Sequence, residues 1–493
     1  MDLERLQHFV AQNNSGLRFD IGTATSTIWK LILIPTEIRS WEGVTRASTE
    51  LWGADSLRGR FARGAVWSLI GAVISQGSNL AASVITARLL GRAQFGEYGM
   101  IQSTVGMLGT FAGLGLGVTA TKYVAEFRGR DPERAGRIIA LGCAVAIVSG
   151  GLLAVGLAMF APLLAAKTLN APASAYELRI ASVLLFFNAF NGAQTGALSG
   201  FEAFRTIARI NLARGFATFP ITVGLVLLWR LPGAIWALAV AAAVTCFLSQ
   251  LSLRQHCAAQ GIRPRFSCAW KERRVLWTFS TPAFLSGVMV GPVTWAANTM
   301  LVNQPGGYAE MGVFSAANQW RTALLFLPGL VGQVAVPMLA SLQNAGGRRP
   351  ARRVLIGAML TNALCTVPAL LVLLPCSRWV MSFYGPAFSA RGPVLEVLLL
   401  SGALLAVQTP AGNLITAFGR IWAGFLMNVG WAACFFVTAN VLLAMGWGAQ
   451  ALACAYLAAY LAHAVWTFWF VAAVLGRLQV SSAIATTGVA PLA

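Results

Sequence analysis

The chain has 493 residues, of which 57% are hydrophobic and only 11% are charged, whereas an ordinary soluble domain carries about 25% charged residues. A water-soluble fold of this composition would expose large apolar patches, so the composition excludes an ordinary soluble protein and predicts one large membrane domain. The net charge of +20 does not indicate nucleic acid as a partner, because no zinc-finger, RNA-recognition or helix-turn-helix pattern is present.

The N-terminal stretch, up to Phe61, precedes the apolar part of the chain. Residues 27–35 are apolar but too few to span a bilayer, since a crossing needs about 20 residues. Residues 1–27 contain no apolar stretch of the kind that a secretory signal peptide requires. We therefore predict a cytoplasmic N-terminal extension over residues 1–61.

Segments long enough to cross a membrane then recur along the chain, and they predict an all-α polytopic membrane protein with about twelve transmembrane helices. Lysine and arginine are concentrated in the connections that lie on the same side as the N-terminus, and the positive-inside rule places that side, with both termini, in the cytoplasm. The predicted spans are 65–87, 98–120, 138–160, 179–200, 210–229, 233–253, 275–299, 311–336, 354–375, 393–416, 421–445 and 449–475.

The sequence also contains an internal repeat, whose matches share one constant offset in residue number. The run FGEY at 95–98 corresponds to MGVF at 311–314, and Gln102 corresponds to Asn318. Because the matches fall at equivalent places in the topology, we predict two homologous six-helix lobes around a central cavity, as in parallel-repeat transporters. The predicted boundaries are 62–260 for the first lobe, 261–478 for the second and 479–493 for a cytoplasmic tail.

Arg321 is the clearest candidate for a binding residue, because it lies well inside the eighth predicted span. An arginine at the centre of a span costs about 2.5–3.5 kcal/mol to insert, so we expect it to have a function. Asn318 lies on the same helix face, and together they predict a cationic spot that binds an anionic substrate in the cavity. The alternative is an arginine that reaches the membrane interface or pairs with Glu396.

Further polar residues recur at helical spacing in other predicted spans, and they predict a hydrophilic lumen. The alternative for each is hydrogen bonding between helices. Two arginines near span ends are weaker candidates, which interfacial anchoring would also explain. Prolines in the seventh span predict a conformational hinge, with a static kink as the alternative. The lumen candidates are Gln76, Asn79, Asn188, Asn191, Asn298, Arg88 and Arg214, and the hinge candidates are Pro282 and Pro292.

Patterns of catalytic residues are missing from the sequence. The three histidines form no cluster with carboxylates, and there is no Walker loop. The eight cysteines fit no zinc spacing. We therefore predict no enzymatic activity, no cofactor and no metal.

Several short runs near the start of the apolar region together resemble a known family. GAVWS opens the first span at 64–68, ARLLG closes it at 87–91, and FGEYG at 95–99 opens the second, followed by GLGLG at 113–117. Over residues 62–476 the chain resembles the polysaccharide-biosynthesis flippases of the multidrug/oligosaccharidyl-lipid/polysaccharide exporter superfamily. The N-terminal extension departs from that family, and the two additional helices of the related lipid II flippases are absent.

The resemblance implies a flippase of the bacterial inner membrane that moves polyprenyl-pyrophosphate-linked oligosaccharides by alternating access, for O-antigen or exopolysaccharide export. It implies that Arg321 meets the anionic headgroup while Asn318, Gln76 and Asn79 contact sugar. Expected partners are membrane lipids, a polysaccharide polymerase and glycosyltransferases. A cation-coupled multidrug exporter of the same superfamily is one alternative, which the scarcity of acidic residues in the spans weakens. A membrane-embedded polymerase or acyltransferase is another, which would need a large loop outside the cytoplasm.

Overall fold

The structure is a computed structural model that describes residues 57–281, 284–285, 288–332, 348–418 and 420–487. Most of the predicted N-terminal extension, residues 1–56, therefore lies outside the described part, as does the hinge candidate Pro282. Contacts divide the chain into two units, Met1–Ile70 and Gly71–Ala493. The contacts described below all lie within the second unit.

Every regular element among the described residues is a helix. The helices of the first half of the chain are α1 (Leu57–Gly113), α2 (Leu116–Phe127), α3 (Pro132–Leu163), α4 (Ala175–Gly200) and α5 (Phe204–Ala259). The helices of the second half are α6 (Val290–Val302), α7 (Gly307–Leu324), α8 (Arg348–Leu373), α9 (Ser377–Ser382), α10 (Pro386–Ser389), α11 (Gly392–Ala417), α12 (Ile421–Ala444) and α13 (Ala449–Thr487).

Two of these helices are too long to be single crossings. Helix α5 has 56 residues, or about 84 Å at 1.5 Å per residue, against a hydrocarbon core about 30 Å thick. Its backbone leaves the helical conformation at Arg230 (φ 54°, ψ −127°), and that of α1 does so at Gly91 (φ 75°, ψ 175°). Both breaks fall between predicted spans, so α5 contains two of them, and α1 contains the first and most of the second, which continues into α2.

Six described helices are long and apolar enough to cross a membrane, or seven if one bent pair counts as a span. The seventh predicted span is not one regular helix, because a π-helical turn at Leu276–Ser280 and a turn at 288–289 precede α6. The last helix continues to Thr487, into residues predicted as a tail. The chain is thus an all-α polytopic membrane protein, as the composition predicted.

The second part of α1 and helix α7 cross where their backbones touch, at Gly96 and Gly312. A Cβ atom added to Gly96 would collide with the carbonyl oxygen of Tyr308, and one added to Gly312 would collide with that of Arg92. The offset that relates Gly96 to Gly312 in the repeat also relates Arg92 to Tyr308. The two repeats therefore meet through equivalent residues, which we call the glycine crossing (Gly96 and Gly312).

A charged cluster lies beside the glycine crossing. The Glu310 carboxylate accepts hydrogen bonds from Arg92 Nη2 at 3.0 Å and from the Ala449 backbone N–H at 3.0 Å, and it pairs with Arg391 Nη2 at 2.9 Å. Because Arg92 lies in the first repeat and Glu310 in the second, the ion pair joins the two repeats. It lies at the same end of the bundle as the glycine crossing. Gly448 leaves room for this carboxylate, since a Cβ there would lie 2.7 Å from Glu310 Oε2.

Candidate functional site

The guanidinium of Arg321 is buried, with only 8% of the residue exposed. Its Cα lies about 21 Å along α7 from Gly307, in the last turn of the helix. Among the described residues Arg321 forms no ion pair, and Glu396 instead accepts a hydrogen bond from Ser377 at 2.5 Å. The charge of Arg321 is therefore not neutralised by a carboxylate of the described chain.

Two tyrosines of α13 hold this guanidinium in place. Its Cζ lies 4.6 Å from the ring centre of Tyr456 and 5.6 Å from that of Tyr460, and Nη2 donates to the Tyr460 hydroxyl at 3.4 Å. Nη1 donates to Asn318 Oδ1 at 3.2 Å, whereas Nε is buried without a partner in the described chain. Stacking on aromatic faces stabilises a cation without cancelling its charge, so the guanidinium remains able to attract an anion.

Helix α11 passes close to the same side chain. A Cβ added to Gly402 would lie 3.0 Å from Arg321 Cγ, so only a very small residue fits opposite the arginine. Sequence reasoning found Arg321 and Asn318 but missed the two tyrosines and Gly402. The i, i+4 spacing of Tyr456 and Tyr460 in a predicted span was the available signal, because such residues lie on one helix face.

The uncharged polar candidates of the first half lie on α1 and α4, and both helices contact α5, where Gly215 packs against Ser75 and Gln250 bonds to Gln194. We call the polar residues of these three helices the uncharged region. Gln76, Asn79 and Asn191 are partly buried, whereas Asn188 is exposed. Several side-chain oxygens in this region are buried without a hydrogen-bond partner in the described chain, which is unusual for polar atoms inside a protein. They belong to Ser83, Asn191, Gln194, Thr218 and Thr222.

Gln194 of α4 lies in this region and was not among the predicted candidates. It is fully buried and its Nε2 donates to Gln250 Oε1 at 2.7 Å, which joins α4 to α5, while its own Oε1 has no partner in the described chain. Thr218 and Thr222 of α5 are one turn apart and were also missed. The signal for them was the i, i+4 spacing of two hydroxyls within a predicted span.

Asn298 has surroundings of a different kind. It donates to Ser103 Oγ at 2.9 Å, next to a hydrogen bond from Trp295 Nε1 to Thr104 at 3.0 Å, so it joins α6 to α1. These contacts are the helix–helix hydrogen bonding that was its alternative explanation.

The two arginines near span ends are both exposed. Arg88 donates from Nε to the Phe383 carbonyl at 2.5 Å, at the end of the bundle that also contains the Glu310 cluster. Arg214 makes no side-chain hydrogen bond or ion pair with the described residues, although its neighbour Gly215 packs against Ser75 of α1. The structure thus gives Arg88 an anchoring contact, whereas Arg214 has no such partner within the described part of the chain.

The remaining hinge candidate, Pro292, lies in the first turn of α6. The backbone N–H groups of a first helical turn have no acceptor within the helix, so a proline there removes no hydrogen bond. The irregular backbone lies before it, from the π-helical turn at Leu276–Ser280 to the turn at 288–289. A bend in this region therefore does not depend on Pro292 itself.

The sequence profile of one protein family, described as polysaccharide biosynthesis protein, matches residues 61–343. The chain belongs to this family. It is 25% identical over 419 residues to the EPS I polysaccharide export inner membrane protein EpsE of Ralstonia nicotianae, covering 82% of this chain and 92% of the relative. It is 24% identical over 375 residues to the succinoglycan biosynthesis transport protein ExoT of Rhizobium meliloti, covering 73% and 69%.

Solved structures of multidrug resistance transporters of the MATE family share the fold. The inward-facing conformation of one such transporter of the MOP superfamily superimposes with a TM-score of 0.68 at 13% identity, covering 85% of this chain and 99% of that one. An outward-facing conformation gives a TM-score of 0.62 at 14% identity, covering 84% and 96%. At these identities the likeness establishes the fold alone.

Proposed function

We propose that this protein is a polysaccharide export transporter that moves oligosaccharide repeat units, linked to polyprenyl pyrophosphate, across the bacterial inner membrane. The observation that carries the proposal is the buried guanidinium of Arg321, which has no carboxylate partner in the described chain. A pyrophosphate is a strong acceptor of hydrogen bonds from a guanidinium, and a low-dielectric surrounding strengthens that interaction. Membership of the polysaccharide biosynthesis family and the names of the relatives support the same substrate class.

The two polar regions suit different parts of such a substrate. Arg321 binds the pyrophosphate, whereas Asn318 beside it and the uncharged region around Gln76, Asn79, Asn188 and Asn191 contact the sugars. Amide and hydroxyl groups both donate and accept hydrogen bonds, as sugar hydroxyls do. The polyprenyl chain stays in the bilayer, where it needs no polar partner.

Transport proceeds by alternating access between two lobes, residues 62–260 and 261–478, with both termini in the cytoplasm. The glycine crossing and the Glu310 cluster close the extracytoplasmic end, and both must separate for outward release. This mechanism is supported by the equivalence of Gly96 and Gly312 under the repeat, because two homologous lobes that meet through equivalent residues can rock against each other.

The test is transbilayer movement of a polyprenyl-pyrophosphate-linked oligosaccharide in proteoliposomes that contain the purified protein. We expect movement with the native protein, loss of movement with Arg321→Ala, and retention with Arg254→Ala, which removes an exposed arginine on the side that the positive-inside rule assigns to the cytoplasm. If the native protein moves no such lipid but accumulates a cationic drug under an ion gradient, the function is instead that of a cation-coupled exporter.

A further inference from the structure

From the end of α5 to the first turn of the seventh span, residues 261–277 form a connection that is held tightly against the start of α3. Ile262 is buried with Ala135, and Gly136 has no room for a Cβ because one would lie 2.5 Å from the Arg263 carbonyl oxygen. Glu272 pairs with Arg134 Nε at 3.2 Å and with Arg137 Nη2 at 3.2 Å. The connection is therefore a fixed surface element of the protein.

Within it, the 3₁₀ helix Phe266–Glu272 separates a buried face from an exposed one. A 3₁₀ helix has three residues per turn, so side chains three apart share a face. Ala269, Glu272 and Val275 are buried, whereas Trp270 and Arg273 are exposed. The docking of the buried side chains therefore leaves the other side chains of the connection exposed on more than one face.

Large aromatic rings are prominent among these exposed side chains. Phe266 is 60% exposed, Trp270 62% and Trp277 76%. Three exposed rings within one short connection would be unfavourable in water, but aromatic residues are enriched where a membrane meets water. The connection lies where that boundary is expected, since it leads directly into the seventh span.

Four basic side chains lie among these rings, and none forms a hydrogen bond or ion pair with another side chain in the described part of the chain. The acidic residue of the connection, Glu272, is already occupied by Arg134 and Arg137. The face therefore has a positive charge that its own neighbours do not neutralise. The basic residues are Arg265, Lys271, Arg273 and Arg274.

We propose that this aromatic and basic face (Arg265, Phe266, Trp270, Lys271, Arg273, Arg274 and Trp277) binds the anionic phospholipid headgroups of the cytoplasmic leaflet. Aromatic rings insert at the headgroup level, and clusters of four to eight basic residues beside a span recognise anionic lipid. Because this connection links the two repeats, bound lipid also fixes the height at which the seventh span enters the membrane. The proposal is independent of the transported substrate.

The test is a competition for bound lipid with the full-length protein in detergent. The protein is mixed with equal amounts of phosphatidylglycerol and phosphatidylcholine, and the retained lipids are identified by native mass spectrometry. We expect a preference for phosphatidylglycerol that the triple variant Lys271→Gln, Arg273→Gln, Arg274→Gln lowers by at least about tenfold.

The matched control is the triple variant Arg130→Gln, Arg209→Gln, Arg254→Gln. It removes the same charge from exposed positions on the same side that lie outside residues 261–277, and it should keep the preference. An equal loss in both variants would mean that net charge alone attracts the lipid and would overturn the proposal. The proposal would also be overturned if soluble glycerol phosphate displaced the bound lipid as effectively as phosphatidylglycerol does, because the site would then bind a free anion.

A second readout concerns the rings. Tryptophan fluorescence of the protein in nanodiscs should be quenched by lipids that are brominated near the headgroup. The variant Trp270→Gln, Trp277→Gln should lose that shallow part of the quenching while it keeps quenching by deeply brominated lipids. Unchanged shallow quenching would place the rings in water and contradict the proposal.

Discussion

The glycine crossing leads to a prediction about the closed end of the bundle. Replacing Gly96 by alanine puts a methyl group 2.9 Å from the Gly312 backbone nitrogen, in addition to the collision with the Tyr308 carbonyl. Backbone atoms cannot turn away as the end of a flexible side chain can, so α1 and α7 must part. We expect Gly312→Ala to act in the same way, because its methyl group would meet Arg92 and Gly96.

The size of the effect follows from two opposing contributions. Overpacking in a tight contact costs about 1–3 kcal/mol, and a contact with backbone belongs in the upper half of that range. Alanine in place of glycine stabilises a helix by about 1 kcal/mol. The net destabilisation of the crossing is therefore about 1–2 kcal/mol, which corresponds to a roughly 5- to 30-fold increase in the population of locally open states.

Hydrogen–deuterium exchange of the protein in nanodiscs measures this population directly. Peptides that cover residues 92–99 and 308–315 should exchange about 5- to 30-fold faster in either variant. Gly106→Ala is the matched control, because it lies on the same helix and a Cβ there meets nothing within 4 Å. Unchanged exchange in both crossing variants, or the same acceleration in the control, would refute the close-contact reasoning.

Two further predictions concern charges at the same end of the bundle. Glu310→Gln should lower the free energy of unfolding by about 2 kcal/mol, which is less than the loss of a fully buried ion pair would cost, because the Glu310 side chain is 17% exposed. Arg391→Gln should lower it by about 1 kcal/mol or less, because the Arg391 side chain is 42% exposed. Equal melting temperatures for these two variants would contradict the assigned roles. Burial raises the pKa of the Glu177 carboxyl, so the folded protein favours the protonated form of this group. The stability that the protonated carboxyl contributes is lost as pH rises through the folded pKa. Glu177→Gln should therefore raise the melting temperature at pH 7 and leave it unchanged at pH 4, and a decrease at pH 7 would show that the carboxylate is instead stabilising.

The sequence alone was enough to predict the all-α membrane fold, since the signal is the length and spacing of apolar segments. It also related Gly96 to Gly312, although it could not show that these residues touch. That contact depends on how two helices from different halves of the chain pack, which no local pattern encodes. The same limitation explains why Glu310 was not singled out, because a carboxylate near a span end looks unremarkable until its partners Arg92 and Arg391 are known.

The binding candidates show where burial arguments succeed and where they stop. Arg321 was selected because an arginine inside a span is costly to insert and is therefore expected to have a function. In the structure it is buried without a carboxylate partner among the described residues. Asn298 was selected by the same reasoning, but its amide donates to Ser103 of another helix. Polarity in a span therefore indicates that a partner is needed, and only the tertiary structure shows whether that partner is protein or substrate.

The measurement that tests the account most directly is the affinity of the protein in detergent for a polyprenyl-pyrophosphate-linked oligosaccharide. A charged hydrogen bond of about 1.5–3 kcal/mol corresponds to a roughly 10- to 150-fold change in Kd. We expect Arg321→Gln to weaken binding by that factor, Arg321→Lys to weaken it less, and Arg254→Gln to leave it unchanged. If Arg321→Gln binds the lipid as tightly as the native protein does, Arg321 does not hold the pyrophosphate and the central claim is wrong.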